Sequence, residues 1–172
     1  CAYFLPNCAT IEEVNVAMDS THRLGYLATA SRENRYVTTK AELLDDICVF
    51  LGGRLAEKLI LGEVSTGAYD DLQRANEIAR SMVEELGMST KLGLRTFVGK
   101  QDGNAVLGGQ RQGLSEETAR ELDQAIQQMI SEQELRTGTL LETHRKELEL
   151  LVDHLIENGH CNLETIKKLF AG

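Results

Sequence analysis

The stretch Val64–Gly87, VSTGAYDDLQRANEIARSMVEELG, decides how the rest of the chain is read. At about 100° per residue, Leu72, Ala75, Ile78, Ala79, Met82, Val83 and Leu86 fall in one apolar sector roughly 140° wide, so the segment is an amphipathic helix with a turn before it and Gly87 at its end. Asp71 lies inside that sector, between Ile78 and Met82. Its neighbour Asp70 falls on the polar face beside Arg74, where an i,i+4 contact is worth about 0.3 kcal/mol. A carboxylate set against an apolar stripe has to be paired, hydrogen-bonded or bound to a metal. Two readings follow from spacing alone. With Ser65, Thr66 and Gly67 as a cap region, Asp71 is a first-turn acid facing free N–H groups and the helix dipole; alternatively it is a metal or catalytic carboxylate.

Working outward, Thr39 and Glu42 make a capping-box pattern that opens a helix through Leu43, Ile47, Phe50, Leu51, Leu55 and Leu59 to Gly62. Gly52 and Gly53 inside it each cost about 1 kcal/mol relative to Ala, which is expected where another backbone comes close, with a kink as the plainer alternative. Toward the N-terminus, CAYFLP stops at Pro6 as the tail of a helix does. Val14–Met18 and Leu24–Ala30, joined by the polar turn DSTHR, are expected to form a small antiparallel pair. Lys91–Gly113 is Gly-rich without a period, as functional or mobile loops are; its GNAVLGG lacks the G-K-[ST] of a phosphate loop. Ser115 opens a third long helix, which Gly138 is expected to break. Leu140–Asn158 makes a fourth, and Asn162 caps a short last one.

The fold class is therefore mainly α, with a small antiparallel β element near the N-terminus and a C-terminal helical hairpin. A chain of 172 residues suffices for one good core, and its 42% hydrophobic share suits a folded protein. A net charge of −9 argues against nucleic acid, whose phosphates need clustered Lys and Arg, and against anionic lipid. No run of about 18 uncharged apolar residues exists to span a bilayer, and no signal peptide is visible. The four cysteines, Cys1, Cys8, Cys48 and Cys161, form no C-x-x-C pair and suggest free thiols in a reducing compartment. The four histidines make no i,i+4 pair; His22, in the turn between the strands, reads as a surface residue.

RLGYL and then RYVTTKAELLDDICVFLGGRLAEKLILGEVSTGAYDDLQRANEIARSMVEELGMSTKLG resemble the peptidase domain of the FtsH family, membrane-anchored ATP-dependent zinc metalloproteases with an AAA ATPase module. The likeness is close over Arg23–Gly93 and looser over LGGQRQGLSEETARELD and the C-terminal helices. It implies residues 1–93 as the core of a helical metallopeptidase domain and 94–172 as the Gly-rich loop and C-terminal helices of the same domain. In that family an H-E-x-x-H helix supplies two zinc ligands and the general base, and the aspartate of a [ST]TGA-x-[ND]-D-[LI] segment is the third ligand. Carried over by motif, that aspartate is Asp71. Three protein ligands with one open position are what catalytic zinc needs to lower a water's pKa and polarise a carbonyl.

The resemblance also implies Glu57 as a carboxylate that orients a ligand, against the plainer reading of a solvated helix glutamate. Arg54 beside it would pair with an acidic neighbour in the core or at a subunit contact. Leu24, Gly25, Tyr26 and Leu27 would offer a strand edge to extended substrate, although simple packing is equally open. The chain departs from the family in having no H-E-x-x-H. The element is expected just upstream of Cys1, no catalytic residue is present, and the chain as it stands should be proteolytically inactive. One explanation is a segment of an active protease. A pseudopeptidase acting as an assembly or scaffold module is the alternative, and a helix-bundle binding module is a third. By resemblance the parent is a hexamer acting on unfolded or membrane proteins, with ATP bound only in a separate AAA module and the membrane reached only through segments absent here. This part would lie in solution on the reducing side: cytoplasm, or organelle matrix or stroma.

Overall fold

A computed structural model describes residues 1–16, 25–30, 37–98 and 114–171. Helix α1 (Lys40–Leu61) starts where Thr39 and Glu42 cap each other: the Glu42 N–H donates to Thr39 Oγ1 at 3.3 Å, and the Thr39 N–H to Glu42 Oε2 at 2.8 Å. It stops at Gly62, whose φ of 74° ends the helix with a left-handed residue. Helix α2 (Tyr69–Glu84) carries the opening stripe, and α3 (Glu116–Thr143) is capped by Ser115. These three helices bury a common core of Ile47 and Leu51 from α1, Ala75, Ala79, Met82 and Val83 from α2, and Leu122, Ala125 and Met129 from α3. The apolar stripe of the opening stretch is thus mostly inward, except that Leu86 lies past the end of α2 and is half exposed.

A second, smaller core joins the sheet to the C-terminal helices α4 (Arg145–Asn158) and α5 (Leu163–Ala171) through Ile11, Leu155, Cys161 and Ile166. The sheet has three antiparallel strands in the order β2-β1-β3: β1 is Ile11–Asn15, β2 is Tyr26–Thr29 and β3 is His160–Asn162. The first strand therefore starts three residues earlier than expected. A register shift between Ile11 and Glu13 rephases β1, so Ile11 and Val14 both reach the same core although strict alternation would oppose them. β3 was not expected; three residues between α4 and α5 are too few to show a period. Met18, Leu24, the turn 19–23 with His22, and loop residues 99–113 lie outside the described residues.

Three further expectations are corrected. Gly138 does not break α3, because its backbone stays helical while Thr137 and Leu141 beside it are buried; a cost of about 1 kcal/mol is offset by that packing. The break comes at His144, with φ −108° and ψ 33°, whose ring stacks on Phe4 with centroids 3.6 Å apart. What approaches Gly52 is the Cys1 side chain rather than a backbone: a Cβ there would sit 2.9 Å from Cys1 Sγ, and at Gly53 it would meet nothing within 4 Å. CAYFLP forms one turn, in which the Phe4 and Leu5 N–H groups both donate to the Cys1 carbonyl, at 2.9 and 3.2 Å. All four cysteines are free thiols, and no helix among the described residues is long and apolar enough to cross a membrane.

Candidate functional site

Asp71 occupies the first turn of α2, but no side chain caps that helix. Its N-cap is Ala68, not Ser65 or Thr66. Ser65 instead folds the approach: its hydroxyl accepts from the Gly67 N–H at 3.1 Å, and the Tyr69 N–H donates to the Thr66 carbonyl at 3.2 Å. Glu57 on α1 clamps the same loop, accepting from the Ser65 hydroxyl at 2.6 Å and the Ser65 N–H at 3.0 Å. These two bonds hold the Glu57 carboxyl below the usual carboxylate range. Glu57 therefore braces the turn that leads into α2, and its hydrogen bonds go to Ser65 and not to Asp71.

Asp71 itself is half-buried and faces a cleft of about 490 Å³ instead of the three-helix core. Loss of hydration raises its pKa, opposed by the positive charge of Arg74 and reinforced by Asp70. Among the described residues its carboxylate has no hydrogen bond or ion pair within salt-bridge distance. Arg74 turns instead over the Phe50 ring, 5.8 Å from its centroid. An inward carboxylate that is partly desolvated and uncommitted is available to a cation or to a proton.

The rest of the cleft lining comes from three other places in the sequence: a wall of Gly25, Tyr26, Leu27 and Thr29 of β2 and its approach, a wall of Ala2, Cys8 and Ala9 of the N-terminal segment, and Asp46, Val49 and Phe50 of α1. Among the described residues β2 pairs only with β1, and Tyr26 and Leu27 are exposed. Gly25, Tyr26 and Leu27 thus meet Asp71 at one cleft; Leu24 lies outside the described residues. Arg54 is half-buried on α1, away from these walls.

Sequence reasoning missed Asp46 and Phe50 as cleft residues, since both read as ordinary members of α1. It also missed Asp45, which is buried and accepts on both oxygens. Asn7 donates its backbone N–H and its Nδ2 to Oδ2 at 3.0 Å each, and Arg136 donates from Nη2 to Oδ1 at 2.6 Å. A signal was there: Asp45, Cys48 and Gly52 fall within about 60° on the α1 wheel, a second buried stripe with an acid at its head.

No group of three His, Cys, Asp or Glu side chains among the described residues could hold a metal ion. Asp71 can contribute one carboxylate, so zinc does not fit these residues by themselves.

A family model described as Peptidase family M41 matches residues 1–169. The chain is 47% identical to the ATP-dependent zinc metalloprotease FtsH of Bacillus subtilis over 84% of its own length and 23% of that relative's. It is 38% identical to the ATP-dependent zinc metalloprotease FtsH 1 of a Thermoanaerobacter species over 99% of its length and 28% of the relative's. Likeness to the FtsH of Staphylococcus haemolyticus is 42% over 85% of the chain and 20% of the relative. The chain thus spans about a quarter of the length of the curated relatives it matches. With the helical core, the small sheet and nearly every residue falling inside one family match, the chain belongs to peptidase family M41, as an FtsH-type peptidase domain.

Proposed function

We propose that this chain is the peptidase part of an ATP-dependent zinc metalloendopeptidase in which Asp71 supplies one of three protein ligands to the metal. The observation that carries the reading is that Asp71 and Gly25, Tyr26 and Leu27 of β2 and its approach line a single cleft. The remaining two ligands and the general base come from residues outside these 172, and the segment alone is inactive. What this chain contributes is position. Packing of Ala75 and Ala79 in the helical core fixes α2, and with it the direction of Asp71. Glu57 and Ser65 fix the turn before it. Gly25, Tyr26 and Leu27 offer main-chain donors and acceptors to an extended peptide, which suits substrates selected for being unfolded rather than for their side chains.

The names of the relatives support zinc and a dependence on ATP; that ATP binds in a separate AAA module of the parent is part of the proposal. Further parts of the proposal are a hexameric, membrane-anchored parent with this part on the reducing side, acting on unfolded or membrane proteins. The test is digestion of unfolded casein by the intact parent protein. Cleavage should depend on ATP, stop on chelation and return with zinc, and the 172-residue segment should show none. Cleavage unaffected by chelation, or by the segment alone, refutes the proposal.

A further inference from the structure

Asp45 ties together three parts of the chain that are distant in sequence. Its side chain is 1% exposed, and a buried carboxylate is tolerated only when its oxygens are satisfied. One oxygen takes both donors of Asn7, and the other takes the guanidinium of Arg136 from α3. Arg136 is held in turn by Gln133 Oε1 at 3.3 Å and Cys48 Sγ at 3.7 Å. Asn7 immediately precedes Cys8 and Ala9, which line the same cleft as Asp71. The segment lacks regular secondary structure between its first turn and β1, and the bonds from Asn7 to Asp45 tie it to α1.

We propose that Asp45 and Arg136 are positioning residues for the cleft: they clamp Asn7, and through it the wall at Cys8 and Ala9, onto α1 and α3 at a fixed distance from Asp71. This rests on the peptidase reading of the cleft. The clamp touches no substrate and acts through the wall. A hydrogen bond to a charged acceptor is worth about 1.5–3 kcal/mol, so its loss should loosen the wall by about ten- to a hundredfold.

The test uses the intact parent with Arg136→Met, Asp45→Asn and the conservative Arg136→Lys. Amide exchange is read at residues 7–9 and in α1 and α3, and kcat and KM are read separately on an unfolded substrate. In Arg136→Met and Asp45→Asn, exchange at residues 7–9 should rise about tenfold or more while α1 and α3 stay protected, and kcat/KM should fall by about the same factor. Arg136→Lys should restore most of both. Should neither severe variant fold, Asn7→Ala carries the comparison: it removes one of three bonds to Asp45 and should give about a fivefold effect. Loosening spread evenly over α1 and α3 would mean a merely structural pair, and a loosened wall with unchanged kcat/KM would mean the wall does not set the cleft. Either overturns the clamp. A wild-type parent that cleaves nothing refutes the peptidase reading instead.

Discussion

Gly25→Ala tests whether the β2 wall is set by the backbone. Gly25 has φ +55°, where an L side chain costs about 1–2 kcal/mol because Cβ crowds the carbonyl. A Cβ there would also lie 2.9 Å from the Asn15 carbonyl oxygen, a main-chain atom of β1 that cannot swing aside. The two together come to about 2 kcal/mol or more. β2 is a four-residue strand that pairs only with β1 among the described residues, with Tyr26 and Leu27 exposed, so little burial opposes its leaving the ladder. The molecule should relieve the strain by opening β2 locally, not by unfolding the helices. Exchange of the β2 amides should speed up about thirtyfold, the equivalent of about 2 kcal/mol, while the α1–α2–α3 core keeps its protection. Binding of an extended peptide should weaken in parallel. Unchanged exchange in β2, or a loss of protection shared equally by the three helices, would refute this account of the wall.

Gly138→Ala should raise stability by about 1 kcal/mol and Tm by roughly 2–4 °C in thermal unfolding, because α3 is helical through that site and a new Cβ meets nothing within 4 Å. Thr137 buries a hydroxyl with no partner among the described residues, so the nearly isosteric Thr137→Val should leave chemical denaturation midpoints unchanged or higher. Burial disfavours the Asp71 charge, so its contribution to stability is present at acid pH and lost as pH rises through its folded pKa. In a carboxyl NMR titration Arg74→Met should push the Asp71 midpoint further up and Asp70→Asn bring it down. Glu57 has the opposite sign: its hydrogen bonds stabilise above the ordinary carboxylate range and are lost as pH falls through the depressed value. Ser65→Ala should move the Glu57 midpoint up in the same titration.

What was legible in the sequence was what repeats. α1 and the start of α3 follow from caps and a 3.6-residue period and α2 from the period alone, and both caps on Thr39 and Ser115 are as read. Where the chain departs from a period, the sequence is mute: the irregular register in β1 and the three-residue β3 carry no pattern to count. Gly138 misled because propensity is a weak local term, outweighed by Thr137 and Leu141 packing on either side. Asp71 stood out because it broke an apolar stripe, yet the stripe could not distinguish a core position from a cleft at the core's edge. The cleft depends on residues 2–9 and 25–29 arriving from elsewhere. The Asp45–Arg136 contact joins residues 91 apart, which no local window contains.

In the proposed function Asp71, and not its neighbour Asp70, gives its carboxylate to a metal. Zinc affinity of the intact parent, measured by competition with a chromogenic chelator, addresses it directly. Asp71→Asn should weaken binding by about 100-fold or more through loss of a ligand, whereas Asp70→Asn, on the exposed face, should stay within about threefold of wild type. Equal affinities for Asp71→Asn and wild type would contradict the account.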